Sequence, residues 1–172
     1  MDIFADALVA KEKSDRIPDE FNLFGRFVGE WDFIWTDGHG TDKERHVKGE
    51  WIFSWILEGT AIQDIFICPS RVERAKNLQP DAEYGTTIRI YNPNKKTWDV
   101  FYGCRGEANL LEARAENDTI VLTCLTMESP DQKMKWVFSD ITETSFHWAC
   151  LWSSDASTAW KLVGELSATR RK

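Results

Sequence analysis

Gly29-Glu30-Trp31-Asp32-Phe33-Ile34-Trp35 opens the pattern from which the architecture is read. Trp31, Phe33 and Trp35 stand two apart with Glu30, Asp32 and Ile34 between them, the period of a strand that buries one face. Asp37-Gly38-His39-Gly40 then supplies a flexible turn. The alternation resumes as Trp51, Phe53, Trp55 and Leu57 within 47–57, and Glu58-Gly59 breaks it before a third run over 61–67. Further β-rich runs cover 84–91, 97–104, 108–115, 119–127, 133–139, 145–152 and 159–169. They are parted by turn-forming stretches such as Asn92-Pro93-Asn94 and Ser129-Pro130-Asp131. Strands joined mostly by short turns, without helical crossovers, must run antiparallel, and closure removes their exposed edges. The expected fold class is all-β: an antiparallel up-and-down β-barrel of about ten strands, with an inside.

Upstream of this series, Ile3, Phe4, Ala7 and Leu8 follow helical spacing and predict a short amphipathic N-terminal helix over about 1–13. Pro18-Asp19-Glu20 suits the start of a further helical turn, which carries Phe21, Phe24 and Phe27 three apart as a plug. Residues 1–20 are thus the helix and lead-in, and 21–172 the barrel domain. The one long connection, 69–83, is polar and reads as a lid or rim.

At 172 residues the chain suits a single domain with a real core. Its net charge of −7 argues against nucleic acid or an anionic membrane as partner. No apolar run approaches a spanning helix of about 18 residues. The acidic start Met1-Asp2-Ile3-Phe4-Ala5-Asp6 is unlike a signal peptide, so a cytoplasmic location is expected. Cys68, Cys104, Cys124 and Cys150 form no C-x-x-C and read as reduced thiols. Nine Trp, ten Phe and three Tyr are enough to fill a core and still line a pocket.

Two sets of residues carry a resemblance. Phe24-x-x-Phe27-x-Gly29-x-Trp31, with Arg170-Arg171 after the last strand, resembles the lipocalin and calycin superfamily. The resemblance implies that Trp31 closes the barrel floor under an arginine. From Phe21 to Arg171 the order of motifs resembles an uncharacterised, mostly bacterial lipocalin-like group: Gly59-Thr60-Ala61-Ile62-Gln63-Asp64, Tyr84 to Pro93, Thr97-Trp98-Asp99-Val100 and Ser145-Phe146-His147-Trp148. That group implies a ten-stranded barrel with a small-molecule cavity and brings no agreed ligand. The chain departs from it at Ala156-Ser157-Thr158-Ala159-Trp160, where the group is Gly-rich, and in the extra N-terminal helix.

Asp64 shares a strand face with Ile62 and Phe66, and Arg89 shares one with Thr87 and Tyr91. An inward carboxylate and guanidinium each need a partner, and they can pair with each other. They read either as a satisfied interior or as an anchor for the polar end of a ligand. His39, His46 and His147 lack metal-ligand spacing, so neither metal nor other cofactor is expected. His147 alternates away from Phe146 and Trp148 and so faces outward, unlike the haem ligand of the nitrobindin barrels.

The expected function is binding of a small, partly apolar molecule without chemistry, Arg89 favouring an anionic head, with Trp55, Gln63, Asp64, Arg89, Tyr91, Tyr102 and Trp148 as ligand-binding residues. An alternative is a cofactor-free decarboxylase, isomerase or cyclase using Asp64 for proton transfer and Arg89 for the substrate's anion. A third is a protein-interaction module using the N-terminal helix. Oligomeric state stays open between monomer and homodimer.

Overall fold

The computed structural model describes residues 2–77, 79–154 and 159–172. Ten antiparallel strands, each hydrogen-bonded to the next in sequence, close when the first pairs with the last. They are β1 (Gly29–Asp37), β2 (Arg45–Ile56), β3 (Ala61–Cys68), β4 (Glu83–Asn92), β5 (Thr97–Cys104), β6 (Glu107–Glu116), β7 (Thr119–Cys124), β8 (Lys133–Ser139), β9 (Ser145–Ser153) and β10 (Lys161–Arg170). The ladder expected from period-two alternation is present throughout. β7 stops at Cys124, short of 127, where Leu125 and Thr126 pass to a turn.

The N-terminal helix is shorter than the apolar spacing predicts. α1 covers Ile3–Leu8, capped by the Asp2 carboxylate, and ends where Val9 turns extended to bridge Ile56. The Ala10 N–H then donates to the Trp55 carbonyl, so the strand edge takes over the backbone bonds that a longer helix would make. α1 buries none of its residues, and Ile3 and Phe4 stand in solvent. The 69–83 connection contains a second short helix, α2 (Arg71–Lys76), whose first turn is capped by Ser70. The stretch 155–158, where the chain departs from the Gly-rich pattern, lies outside the described residues.

One end of the barrel is sealed. Two 3-10 turns, Asp19–Phe21 and Gly25–Phe27, push Phe24 and Phe27 into the opening until both are 0% exposed. Phe24 meets Trp98 edge-on at 5.3 Å and Phe27 meets Phe146 at 4.9 Å. The Arg170 guanidinium lies 4.2 Å above the Trp31 ring and donates to the carbonyls of Val28 and Arg26 at 2.8 and 2.6 Å. Gly29 adopts φ +125° beneath it, and a Cβ there would come within 2.8 Å of Arg170 Nη1, so a side chain would both strain the backbone and displace the arginine. Arg171 faces outward instead, paired with Glu30 and Asp32. The expected floor of Trp31, one arginine and the phenylalanine plug is therefore present, with Arg170 in the role.

Candidate functional site

The opposite end is where chemistry is available. A cavity of about 240 Å³ lies among the strand ends that face away from the plug. Alternation aims Trp35 from β1, Trp51 from β2, Phe66 from β3, Tyr102 from β5, Trp136 from β8 and Trp148 from β9 at it, and Trp152 stands at its rim. Met134, Thr87 and Cys150 complete most of the wall. Trp136 packs on Trp148 at 5.6 Å and edge-on to Tyr102 at 5.3 Å, so the rings form one continuous lining. The cavity reaches solvent past Trp152 and Val163, which are 39% and 46% exposed. Val163 sits at a β-bulge between Leu162 and Gly164, a device that re-aims side chains at barrel rims. Gly164 lets the Trp35 ring lie on the β10 backbone, since a Cβ there would stand 2.3 Å from Trp35 Cζ2.

Two carboxylates belong to this cavity. Glu107 is exposed at the rim and accepts from Asn109 at 2.7 Å. Glu83, the first residue of β4, is half-buried and accepts a hydrogen bond from the Tyr102 hydroxyl. That phenol lies over Gly85, where a Cβ would come within 3.2 Å of both Tyr102 Oη and Glu83 Oε1. Burial pushes the Glu83 carboxyl above its ordinary range, the Tyr102 bond opposes this, and the nearby Glu107 and Asp64 charges add to it. Burial likewise pushes the Tyr102 hydroxyl up, reinforced by the Glu83 charge. The Cys150 thiol is pushed up to about 11 by burial, so at neutral pH it is a small apolar group and no nucleophile. No Lys, Arg or His lines the cavity among the described residues.

Of the residues expected to bind a ligand, Tyr102 and Trp148 line this cavity. Asp64 and Arg89 do face inward, but at the next level down, each 0% exposed and paired through Arg89 Nη1 and Asp64 Oδ2. The guanidinium is held between Phe24 at 4.9 Å and Phe53 at 5.3 Å, so its face is turned to the plug and its charge to Asp64. Trp55 and Tyr91 belong to the sealed end: Trp55 packs over Gly25, and Tyr91 stacks on Phe21 at 5.6 Å. Both sit near the plug-side ends of their strands, where an inward side chain meets the plug and not the cavity. Gln63 points outward, as its parity with Asp64 requires, and donates to Thr86 Oγ1 at 3.0 Å. His147 also faces outward and meets Glu165 at 2.7 Å.

Sequence reasoning missed Glu83, Trp136 and Phe66. Glu83 was hidden at the end of a polar connection, yet it shares parity with Thr87 and Arg89 and so belongs to the inward face of β4. A broader cleft of about 640 Å³ lies outside the sealed end, between Asp19–Arg26 and the turns at Asn117–Thr119 and Asp140–Thr142. Its lining is mostly polar and includes no aromatic side chain among the described residues.

No protein-family model and no curated protein sequence matches the chain. Its shape matches solved structures. An S-type phycobiliprotein lyase, CPES, from Guillardia theta aligns at a TM-score of 0.58 and 12% identity, over 90% of this chain and 92% of the other. Rv2717c from M. tuberculosis aligns at a TM-score of 0.58 and 8% identity, over 91% and 99%. The closed ten-strand ladder, the plugged floor with Arg170 on Trp31 and these alignments together give the chain the lipocalin-like calycin fold.

Proposed function

We propose that the protein binds a small, predominantly apolar molecule in the open half of its barrel and performs no chemistry on it. The observation that carries this reading is the aromatic cavity of about 240 Å³, open at one end of a barrel whose other end is packed shut. A molecule entering it exchanges water for ring faces, at about 25 cal/mol per Å² of apolar area buried. The volume lies just under the usual range for ligand sites, roughly 300 Å³ and above, so one or two rings fill it. The lining has little freedom to lose. Trp35 is fixed by its N–H bond to Asp37 at 3.0 Å, and Tyr102 by Glu83. Such preorganisation lowers the ordering cost that otherwise subtracts from affinity.

The anionic preference expected from Arg89 has no support in this geometry, because that guanidinium is already paired and lies beneath the cavity. The same closure argues against Asp64 as a proton-transfer group. Native mass spectrometry of protein purified from its own host tests the reading. Retained small-molecule mass, lost in Trp136→Ala and Trp148→Ala, is the expected result. A barrel that is empty, and whose melting temperature no apolar or aromatic compound shifts, would contradict it.

A further inference from the structure

The barrel already encloses a cationic side chain, Arg89, and the way it is held indicates what the open half lacks. At the lower level a guanidinium, Arg89, is removed from water by a carboxylate, Asp64, and by the faces of Phe24 and Phe53. At the upper level the carboxylate is Glu83 and the ring faces are those of Tyr102, Trp136 and Trp148, but no cationic side chain lines the cavity among the described residues. The Glu83 carboxylate makes no ion pair among the described residues and accepts there from the Tyr102 hydroxyl, a neutral donor, while the Arg74 guanidinium reaches only the Glu83 main-chain carbonyl, at 3.0 Å. A half-buried carboxylate in an aromatic enclosure is costly unless a cation reaches it. Aromatic faces attract cations through the ring quadrupole, and more strongly once water is displaced. Glu107 at the rim and the net charge of −7 add a field that draws cations towards the mouth.

We infer that the cavity selects organic cations: a ligand with an ammonium or similar positively charged head, placed against Glu83 and enclosed by the Trp and Tyr rings, with its apolar remainder on Phe66 and Met134. The inference rests on the reading of this cavity as a binding site and adds the charge of its occupant. The rings exclude a strongly hydrated metal ion, because they offer no ligand set to replace its water shell. A quaternary or aryl-alkyl ammonium loses little hydration and gains every ring contact.

Isothermal titration calorimetry of the full chain at neutral pH tests this with three probes of similar size: benzyltrimethylammonium, its neutral isostere neopentylbenzene, and phenylacetate. The cation is expected to bind about tenfold or more tighter than the isostere, and phenylacetate more weakly than either. Glu83→Gln is expected to remove most of that ratio by weakening the binding of the cation. Equal affinities for cation and isostere, or a preference for phenylacetate, overturn the selectivity and leave the binding cavity standing. Failure of all three to bind overturns both readings. The wild-type ratio decides the matter even where Glu83→Gln does not fold.

Discussion

The two halves of the barrel interior are built from the same residue types and finished differently. In the sealed half the indole N–H of Trp31 donates to the Phe27 carbonyl at 2.7 Å and that of Trp98 to the Phe21 carbonyl at 2.8 Å. In the open half the buried indole N–H groups of Trp51 and Trp148 have no acceptor among the described residues. The sealed half pairs its carboxylate with Arg89, whereas the open half gives Glu83 a phenol. Unpartnered buried atoms occur at both levels, Asp64 Oδ1, Arg89 Nε and Thr97 Oγ1 below the cavity as well as the two indoles above, so what separates the halves is closure by the plug and the partner given to each carboxylate. The plug side chains Phe24 and Phe27 fill the first half, and the second half keeps a cavity of about 240 Å³.

Substitutions in the two halves should therefore separate stability from binding. The largest loss is expected for Trp31→Ala, about 3 to 5 kcal/mol from lost packing and about half to one more from the Arg170 contact. Denaturant unfolding should show it, with ligand affinity intact at temperatures where the variant is folded. Arg89→Met should follow at about 3 to 5 kcal/mol, because it strands the Asp64 charge, and Asp64→Leu/Arg89→Met should recover most of that loss. If the double variant is no better than the single one, Arg89 does more than neutralise Asp64. Trp148→Ala, whose side chain borders space on one side, should cost only about 1 to 3 kcal/mol yet lower ligand affinity at least tenfold. Equal behaviour of Trp31→Ala and Trp148→Ala in both assays would erase the distinction between the halves. Tyr102→Phe should cost about 1 kcal/mol, the worth of one hydrogen bond, and raise the Glu83 carboxyl further.

The smallest effect expected is a pH dependence with two opposing parts. Glu83 is held above its ordinary value of 4.5, so its contribution to stability is full below about that pH and is lost as pH rises through the raised value. Glu50 works in the other direction. Hydrogen bonds from Arg71, strongest from its side chain, draw the Glu50 carboxyl to about 2, so its contribution is present above its ordinary 4.5 and is lost as pH falls towards 2. Glu83→Gln should remove the first dependence and leave the second, as read from melting temperatures across the range. Persistence of the loss on the alkaline side of pH 4.5 in that variant would assign it elsewhere.

Most of the barrel was legible because alternation is a local property: β1, β2 and β9 announce their inward faces by aromatic spacing, aliphatic residues mark β6, β7 and β10, and Asn, Pro and Gly mark turns between them. The floor was legible for a different reason, since Gly29-Glu30-Trp31 and Arg170 form a pattern whose ends are far apart in sequence but fixed in register once the barrel closes. The site was less so. Parity told which side chains point inward but not how far along the barrel axis each one sits, and that distance separates Trp148 in the cavity wall from Trp55 against the plug. Strand direction supplies it: odd strands run from plug to mouth and even strands return, so inward residues late in β2 and β4 belong to the floor. Gln63 fails on parity alone, being one residue from the inward Asp64. Glu83 was missed because a strand's first residue looks like the end of a loop. The helix at 1–13 was overestimated because backbone pairing of Val9 and Ala10 with β2 is a tertiary event that local spacing does not contain.

The division of the interior is tested most directly by the nine indole N–H resonances in a heteronuclear NMR spectrum, followed as benzyltrimethylammonium or neopentylbenzene is added. Trp35, Trp51, Trp136, Trp148 and Trp152 border the cavity, whereas Trp31, Trp55 and Trp98 belong to the sealed end and Trp160 lies over Lys135. Saturable shifts confined to the first group are the predicted result. Shifts of equal size at Trp31 and Trp98, or none at Trp136 and Trp148 while a probe demonstrably binds, would show that the ligand enters elsewhere and that the open half is not the site.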